Sequence, residues 1–332
     1  MNRLAAILAL GAIALMPLSA RAEVSELKVP LGAGGFGFLP LHMMKKYELI
    51  EKEATKSGLK ITVNWANIGG PSVMNDALLS GSADFISAGP PAFLILWDRT
   101  KGKGDVKGVA AMSTIPMYLN TRADHLKKLE DLKDDDKIAV TAVKVSIPAI
   151  IMQMYAKKSG ADAYKFDKYT VSMQHPDAVV AIVSGNKQIT AHYASAPFHQ
   201  RELKEAGART IQNTNDVMGG PQTFTMISTT TKFHNENPKV YSAFVAALKQ
   251  SFDMIKKDKK AAAQVLLESM GGKGWDVDEL AKMLDDKDTY YTTKPEGVMK
   301  YATFMNEIGS LKNKAASLND LFFDAGSLGG GN

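Results

Sequence analysis

The sequence predicts an α/β fold in which one strand–helix plan is written twice and then followed by helices. Three observations predict it. Short apolar or alternating runs end in Gly-, Ser- or Pro-rich loops that open helices, the pattern of a mainly parallel sheet flanked by helices. Residues 69–93 can be laid over residues 174–198, with Pro71 to Phe93 and Pro176 to Phe198 equally spaced. Ser80-Gly81 also meets Ser184-Gly185 after a one-residue shift, so we read the two stretches as a structural duplication. After Thr225-Met226-Ile227-Ser228 the pattern becomes mostly helical.

Taken in order, Leu27–Leu31 reads as a strand and runs into the glycine-rich loop Gly32–Phe38. A helix follows from about Leu39-Pro40 to Lys46, with Pro40 in the first turn, where its missing N–H costs nothing. Lys60–Trp65 alternates with period two, as a half-buried strand does. Gly69-Gly70-Pro71-Ser72 then opens a helix over Val73–Leu79, Asp84–Ser87 is a short strand, and Pro90-Pro91 opens a further helix. The second copy has strands at Lys137–Thr141, Phe166–Val171 and Ile189–Tyr193. Its helices open at Ser146-Ile147-Pro148 and at Gln174-His175-Pro176-Asp177. In the tail, residues 238–256 carry an apolar stripe of Val240, Phe244, Val245, Leu248, Phe252 and Ile255 at helical spacing. Helices over residues 261–270, 277–285 and 295–308 complete the plan.

The N-terminus predicts the compartment. Arg3 precedes an uncharged apolar run, Leu4–Leu18, and Ala20-Arg21-Ala22 supplies the small-x-small pattern of a cleavage site. Residues 1–22 are therefore expected to be a signal peptide, and the mature chain to be periplasmic. The apolar run is shorter than the roughly 20 residues a membrane span needs. The chain has no cysteine. Disulfides, thiolate nucleophiles and Cys-based metal sites are thereby excluded, as is a lipid anchor on a cysteine at the cleavage point.

The formal net charge is +5, and removal of Arg3 and Arg21 with the signal leaves +3, with both signs interspersed. No basic stripe with interleaved aromatics occurs, so nucleic acid is not an expected partner. Six histidines are scattered without a His-Glu-x-x-His spacing, and there is no Gly-x-Ser-x-Gly elbow. Asp134-Asp135-Asp136 reads as a solvated turn. Neither a metal site, a cofactor nor a catalytic residue is expected, and the chain is read as a non-enzyme.

Four segments in order carry a family resemblance. They are Gly35-Phe36-Gly37-Phe38-Leu39-Pro40 after the first strand, Ala77–Phe85, Leu129–Lys133 leading into Lys137–Val140, and the return helix Val179–Gly185. Together they resemble the solute-binding proteins of ABC importers of the nitrate/taurine/alkanesulfonate (NitT/TauT) type, over nearly the whole mature chain. A related family that makes a thiamin precursor carries a cysteine-rich motif, which this chain lacks. The resemblance implies a two-lobed periplasmic-binding-protein fold of type II, with two hinge crossovers near Tyr118–Asn120 and Phe224–Ser228. Lobe 1 would comprise residues 23–119 and 226–332, and lobe 2 residues 120–225. It also implies a monomer that carries a small, sulfonate-like molecule to an inner-membrane permease and its ATPase. An aromatic or heterocyclic ligand, or a sensing role beside a signalling receptor, are the alternatives.

In such sheets ligands sit beyond the carboxyl ends of the strands, where helix N-termini offer free N–H groups and a favourable dipole for anions. The candidate ligand contacts at those ends are Gly35, Gly37, Gly70, Ser72, Ser87, Gly89, Pro90, Thr141, Ser146 and Ser195, each also explicable as ordinary capping. Phe36 and Phe38 could wall an apolar ligand or simply pack. Trp65, Asn67 and His192 stand at strand ends and are read either as ligand contacts or as core, and His175 as either a contact or a loop residue.

Overall fold

The computed structural model describes residues 22–32, 34–185, 188–272 and 274–329. The expected signal peptide, apart from Ala22, lies outside the described residues. Among those described, no helix is long and apolar enough to cross a membrane.

The chain begins with β1 (Glu26–Pro30), α1 (Leu39–Lys46), α2 (Leu49–Lys56), β2 (Thr62–Ala66), α3 (Pro71–Leu79), β3 (Ile86–Ala88), α4 (Pro90–Thr100) and β4 (Val106–Thr114). It continues through β5 (Tyr118–Thr121), β6 (Ile138–Val140), α5 (Ile147–Lys158), β7 (Thr170–Ser172), α6 (His175–Ser184), β8 (Ala191–Ala194), α7 (Phe198–Ala206), β9 (Arg209–Asn213) and α8 (Thr214–Met218). Then follow β10 (Thr223–Thr230), α9 (Thr231–Glu236), α10 (Pro238–Lys257), α11 (Lys259–Ser269), α12 (Val277–Met283), α13 (Val298–Glu307) and α14 (Leu318–Leu321).

The strands form two sheets with one plan. In the second, the order is β7-β6-β8-β5-β9. In the first, β2-β1 and β3-β10-β4 are separate ladders, joined where the Asp84 N–H donates to the Lys28 carbonyl at 2.9 Å. One strand in each sheet, β10 and β5, pairs antiparallel with both neighbours. These are the strands by which the chain arrives from the other lobe, so the reversal follows from the crossing. The matched order bears out the duplication: α3, β3 and α4 occupy the places of α6, β8 and α7.

Local sequence explains most elements. Pro71, Pro90, Pro148 and Pro176 stand in the first turns of their helices. On α10, Val240, Phe244, Leu248 and Ile255 are buried as the stripe predicts. Each such burial contributes roughly 1.5–3 kcal/mol.

Two expectations shift. The extended run Phe166–Val171 is a 3-10 turn over Asp167–Tyr169, with strand only from Thr170. Asp167 tightens it, accepting from Gln153 Nε2 with its carboxylate and from Thr170 Oγ1 with its carbonyl. The helix expected from Pro295 starts at Val298. Glu296 is instead held across the fold: its carbonyl accepts from the Thr223 N–H, its N–H donates to Thr223 Oγ1, and its carboxylate accepts from Thr114 Oγ1 and the Tyr290 hydroxyl.

Candidate functional site

The carboxyl ends of β1, β2 and β3 face those of β6, β7 and β8, and the lobes touch there. The Phe36 N–H donates to the Ala196 carbonyl at 3.3 Å. A Cβ on Gly89 would stand 2.9 Å from the Ile147 side chain of the other lobe, and one on Gly70 would stand 3.0 Å from Gln174 Nε2. Glycine is what lets the two lobes approach this closely. The arrangement is a closed cleft.

Two cavities remain in it. The inner chamber has a volume of about 50 Å³, more than one water requires. Lobe 1 contributes Phe38, Gly70, Met74, Ser87 and Gly89, and lobe 2 Thr141, Val145, Ser146, Ile147 and His175, with Met117 and Phe224 at the two crossings. An outer chamber of about 400 Å³ lies on the other side of the Gly69-Gly70 loop and is lined by Asn67, His42, Arg201 and Trp275, among others. Arg201 lies over the Trp275 ring and bonds Glu205.

The lining of the inner chamber is mainly apolar and includes no Lys, Arg, Asp or Glu. Its polar features are specific. Ser87 Oγ, at the end of β3, and Ser146 Oγ, at the start of α5, are buried without any hydrogen-bond partner. They belong to opposite lobes. Leaving a hydroxyl buried and unpaired costs about 1–3 kcal/mol, and two in one small cavity mark the groups a ligand would satisfy.

His175 opens α6 and lines the same chamber. Its Nδ1 lies 2.9 Å from Nε2 of His192, whose Nδ1 lies 2.5 Å from the Glu202 carboxylate. Asn120 Nδ2 donates to the other Glu202 oxygen at 2.8 Å. Burial, reinforced by His192, holds the His175 imidazole well below its usual range. No group of three or more His, Cys, Asp or Glu among the described residues is arranged to hold a metal ion.

Of the residues singled out from sequence, the fold brings Phe38, Gly70, Ser87, Gly89, Thr141 and Ser146 together around the inner chamber. Asn67 faces the outer one. His192 stands behind His175, fully buried. Ser195 is buried and its carbonyl accepts from the His199 N–H. Phe36 packs in the core, and Gly37 lies under the Phe224 ring, where its carbonyl accepts from the Ser113 and Thr225 hydroxyls. Gly35 abuts Phe198. Pro90 is a buried first-turn residue, Trp65 packs half-buried on the core, and Ser72 is exposed on α3.

The chamber also uses residues that were not singled out: Met74, Met117, Val145, Ile147 and Phe224. Met117 and Phe224 flank the expected crossovers, so the crossover positions themselves pointed to them. Trp275, in the outer chamber, sits in a Gly-rich loop far along the chain and carried no such signal.

A search of the curated proteins returned no match. Solved structures share the fold. The alkanesulfonate-binding protein SsuA from Xanthomonas axonopodis pv. citri, bound to MOPS, superposes with a TM-score of 0.68 at 16% identity, covering 90% of this chain and 98% of that one. The periplasmic aliphatic sulphonate binding protein SsuA from Escherichia coli gives 0.65 at 18% identity, over 90% and 92% of the two chains. The periplasmic nitrate-binding protein NrtA from Synechocystis PCC 6803 gives 0.68 at 14% identity, over 90% and 84%. The resemblance read from the sequence thus holds in fold, a two-lobed periplasmic-binding-protein architecture. The model of the NMT1-like family matches residues 35–269, and on that match the chain belongs to the NMT1-like family.

Proposed function

We propose that this protein is a periplasmic solute-binding protein that closes its lobes over one small ligand and presents it to an ABC permease and its ATPase. The carrying observation is the pair of buried, unpartnered hydroxyls, Ser87 and Ser146, one from each lobe, facing a single chamber. A ligand that bridges them favours the closed state because it contacts both lobes. The reading divides the mature chain into lobe 1 (residues 23–119 and 226–332) and lobe 2 (residues 120–225), follows secretion by the N-terminal signal, and involves no chemistry on the ligand.

Three helices, α3, α5 and α6, place first-turn residues at the chamber, and α4 places its N-cap Gly89 there. Their dipoles favour an anionic group, sulfonate-like in our reading. The apolar walls, Phe38, Met74 and Phe224, favour an organic body on the same ligand. Those walls also support the second reading, an uncharged aromatic or heterocyclic ligand.

Thermal unfolding of the mature protein against sulfonates, nitrate, carboxylates and pyrimidines tests the proposal. A ligand at a hundredfold over its Kd adds about 2.7 kcal/mol of stability. The proposal falls if no compound shifts the transition and mass spectrometry finds no molecule retained from the cell.

Ser87→Ala and Ser146→Ala should separate binding from folding. Each removes an unpaired buried hydroxyl, so the free protein is expected to keep or gain stability. Affinity should fall about tenfold, from a lost hydrogen bond of about 1 kcal/mol or more. Loss of stability with unchanged affinity, by denaturation and calorimetry, would show the hydroxyls to be structural.

Gly89→Val should hold the cleft open. The first added carbon already stands 2.9 Å from Ile147 and 3.3 Å from the Phe224 carbonyl. Overpacking against Ile147 costs about 1–3 kcal/mol and is felt only on closure, whereas the Phe224 carbonyl lies on β10, the strand paired with β3. Affinity is expected to drop by about ten- to a hundredfold or somewhat more, with a larger radius of gyration in X-ray scattering and little change in lobe stability. An unchanged radius and affinity would refute the interlobe contact.

A further inference from the structure

His175, His192 and Glu202 are 2%, 0% and 0% exposed and stand in one line that ends on the inner chamber. An apolar trio of similar volume is often no less stable than buried ionisable groups, so packing alone does not account for the line. We propose that the chamber takes an anionic group together with one proton, which the His175–His192–Glu202 line accepts, making His175 Nε2 the donor that recognises the anion. The proposal rests on the chamber being the solute site.

Proton bookkeeping leads there. In this proposal the Glu202 carboxylate accepts from His192 Nδ1–H, 2.5 Å away, and His192 presents the Nε2 lone pair to His175. The proton of neutral His175 then sits on Nδ1, between the two rings. Its Nε2, for which the structure shows no hydrogen-bond partner among the described residues, is left as a bare lone pair on a ring that lines the chamber. A bare lone pair repels an anion.

One proton from water reverses this. It bonds to His175 Nε2, and the Nδ1 proton moves across 2.9 Å to His192 Nε2. The positive charge then rests on His192 beside the Glu202 carboxylate, 2.5 Å away, and the chamber gains an N–H donor. The line itself becomes neutral, so its negative charge no longer opposes the anion, and the anion meets an N–H donor in a chamber whose lining holds no Lys or Arg. Burial keeps His175 unprotonated while the chamber is empty, so the proton arrives with the ligand.

The groups packed around the line do not replace it. Phe198 of α7 stacks on the His175 ring and Trp275 packs against Phe198, while Arg201 lies over Trp275 and pairs with Glu205. Behind Glu202, Asn120 of β5 bridges to His199, which stacks on Tyr118 and is pushed down to about 4 by burial against the pull of Asp286. On its own helix, the nearest charged group is Asp177, which is exposed.

The test is titration calorimetry with ethanesulfonate and benzoate against their uncharged counterparts, ethanesulfonamide and benzamide. Two cationic buffers of different ionisation heat are used, because sulfonate buffers would compete. The anions are expected to bind with uptake of about one proton and to weaken about tenfold per pH unit above neutrality, the amides without either effect. Glu202→Gln should abolish the proton uptake while leaving amide binding in place. If that variant does not fold, the proton count on the native protein decides alone. Anion binding without proton uptake, or binding of the amides only, overturns the proposal and leaves the solute-binding reading intact. If no probe binds, this inference falls, and the solute-binding reading falls with it only when no molecule is found retained from the cell.

Discussion

Phe85→Ala is expected to destabilise the protein by about 3–5 kcal/mol, the range for emptying a buried aromatic site. Phe85 is completely buried immediately before β3. Its ring stacks on Phe244 at 4.0 Å and 10°, and Phe233 meets it edge-on at 5.1 Å and 73°. Tyr241 stands 6.4 Å away. The ring therefore joins an N-terminal strand to α9 and α10, elements reached only after the chain has traversed the other lobe. Aromatic pairs add about 0.5–1.5 kcal/mol beyond their area, so Phe85→Leu should recover only part of the loss. Since domains are stable by about 5–15 kcal/mol, the alanine variant should unfold at a visibly lower denaturant concentration. A loss below about 1.5 kcal/mol would mean the three rings do not form this cluster.

Mild acid should weaken the fold before any carboxylate-driven denaturation. Burial, with Lys45 nearby, pushes the His42 imidazole down to about 4. Burial likewise pushes His199 down to about 4, against the pull of Asp286. A group whose folded value is depressed favours folding while it is unprotonated. Its contribution is full above the unfolded value near 6.5 and is lost as pH falls from there toward 4. The unfolded chain binds more protons throughout that window. By pH 5 each histidine should have cost about 2 kcal/mol. Glu51, Asp84 and Asp167 are raised by burial and act with the opposite sign as pH falls. Urea unfolding at pH 7.5 and pH 5 measures the difference, and His42→Gln should remove its share. Equal stabilities at both pH values, or an unchanged slope in the variant, would contradict the buried neutral state of His42, whose Nε2 has no partner.

Much of the fold was legible because it is local. Prolines marked the helix starts, alternation marked β2, and the stripe on α10 predicted which of its residues are buried. β4 and β9 were not anticipated. Val106–Thr114 is rich in Gly, Ala and Ser, and it becomes a strand because β10 pairs along it and Phe322 and Tyr290 bridge to its free side. Arg209–Asn213 is half-buried and is held by β5 alone.

The site divides along the same line. Gly70, Ser87, Gly89, Thr141 and Ser146 were legible because parallel strand direction alone sends their loops to the cleft. Phe36 and Phe38 were not separable by sequence, since both are apolar residues in one glycine-rich loop. The helical turn at Phe36–Phe38 puts one ring in the core and the other on the chamber. Nor did Glu202 stand out, because Phe198–Ala206 is a charge-rich stretch that the sequence assigned to no element. Packing of α7 on β5 and β8 buries that carboxylate against His192 and Asn120. The sequence by itself determined the strand–helix plan, its duplication and the loops that meet, because periodicity and turn chemistry act within a few residues. Which side chains line the chamber, and which charges are sealed behind it, was decided only when the two lobes packed together, because burial is set by contacts between distant segments.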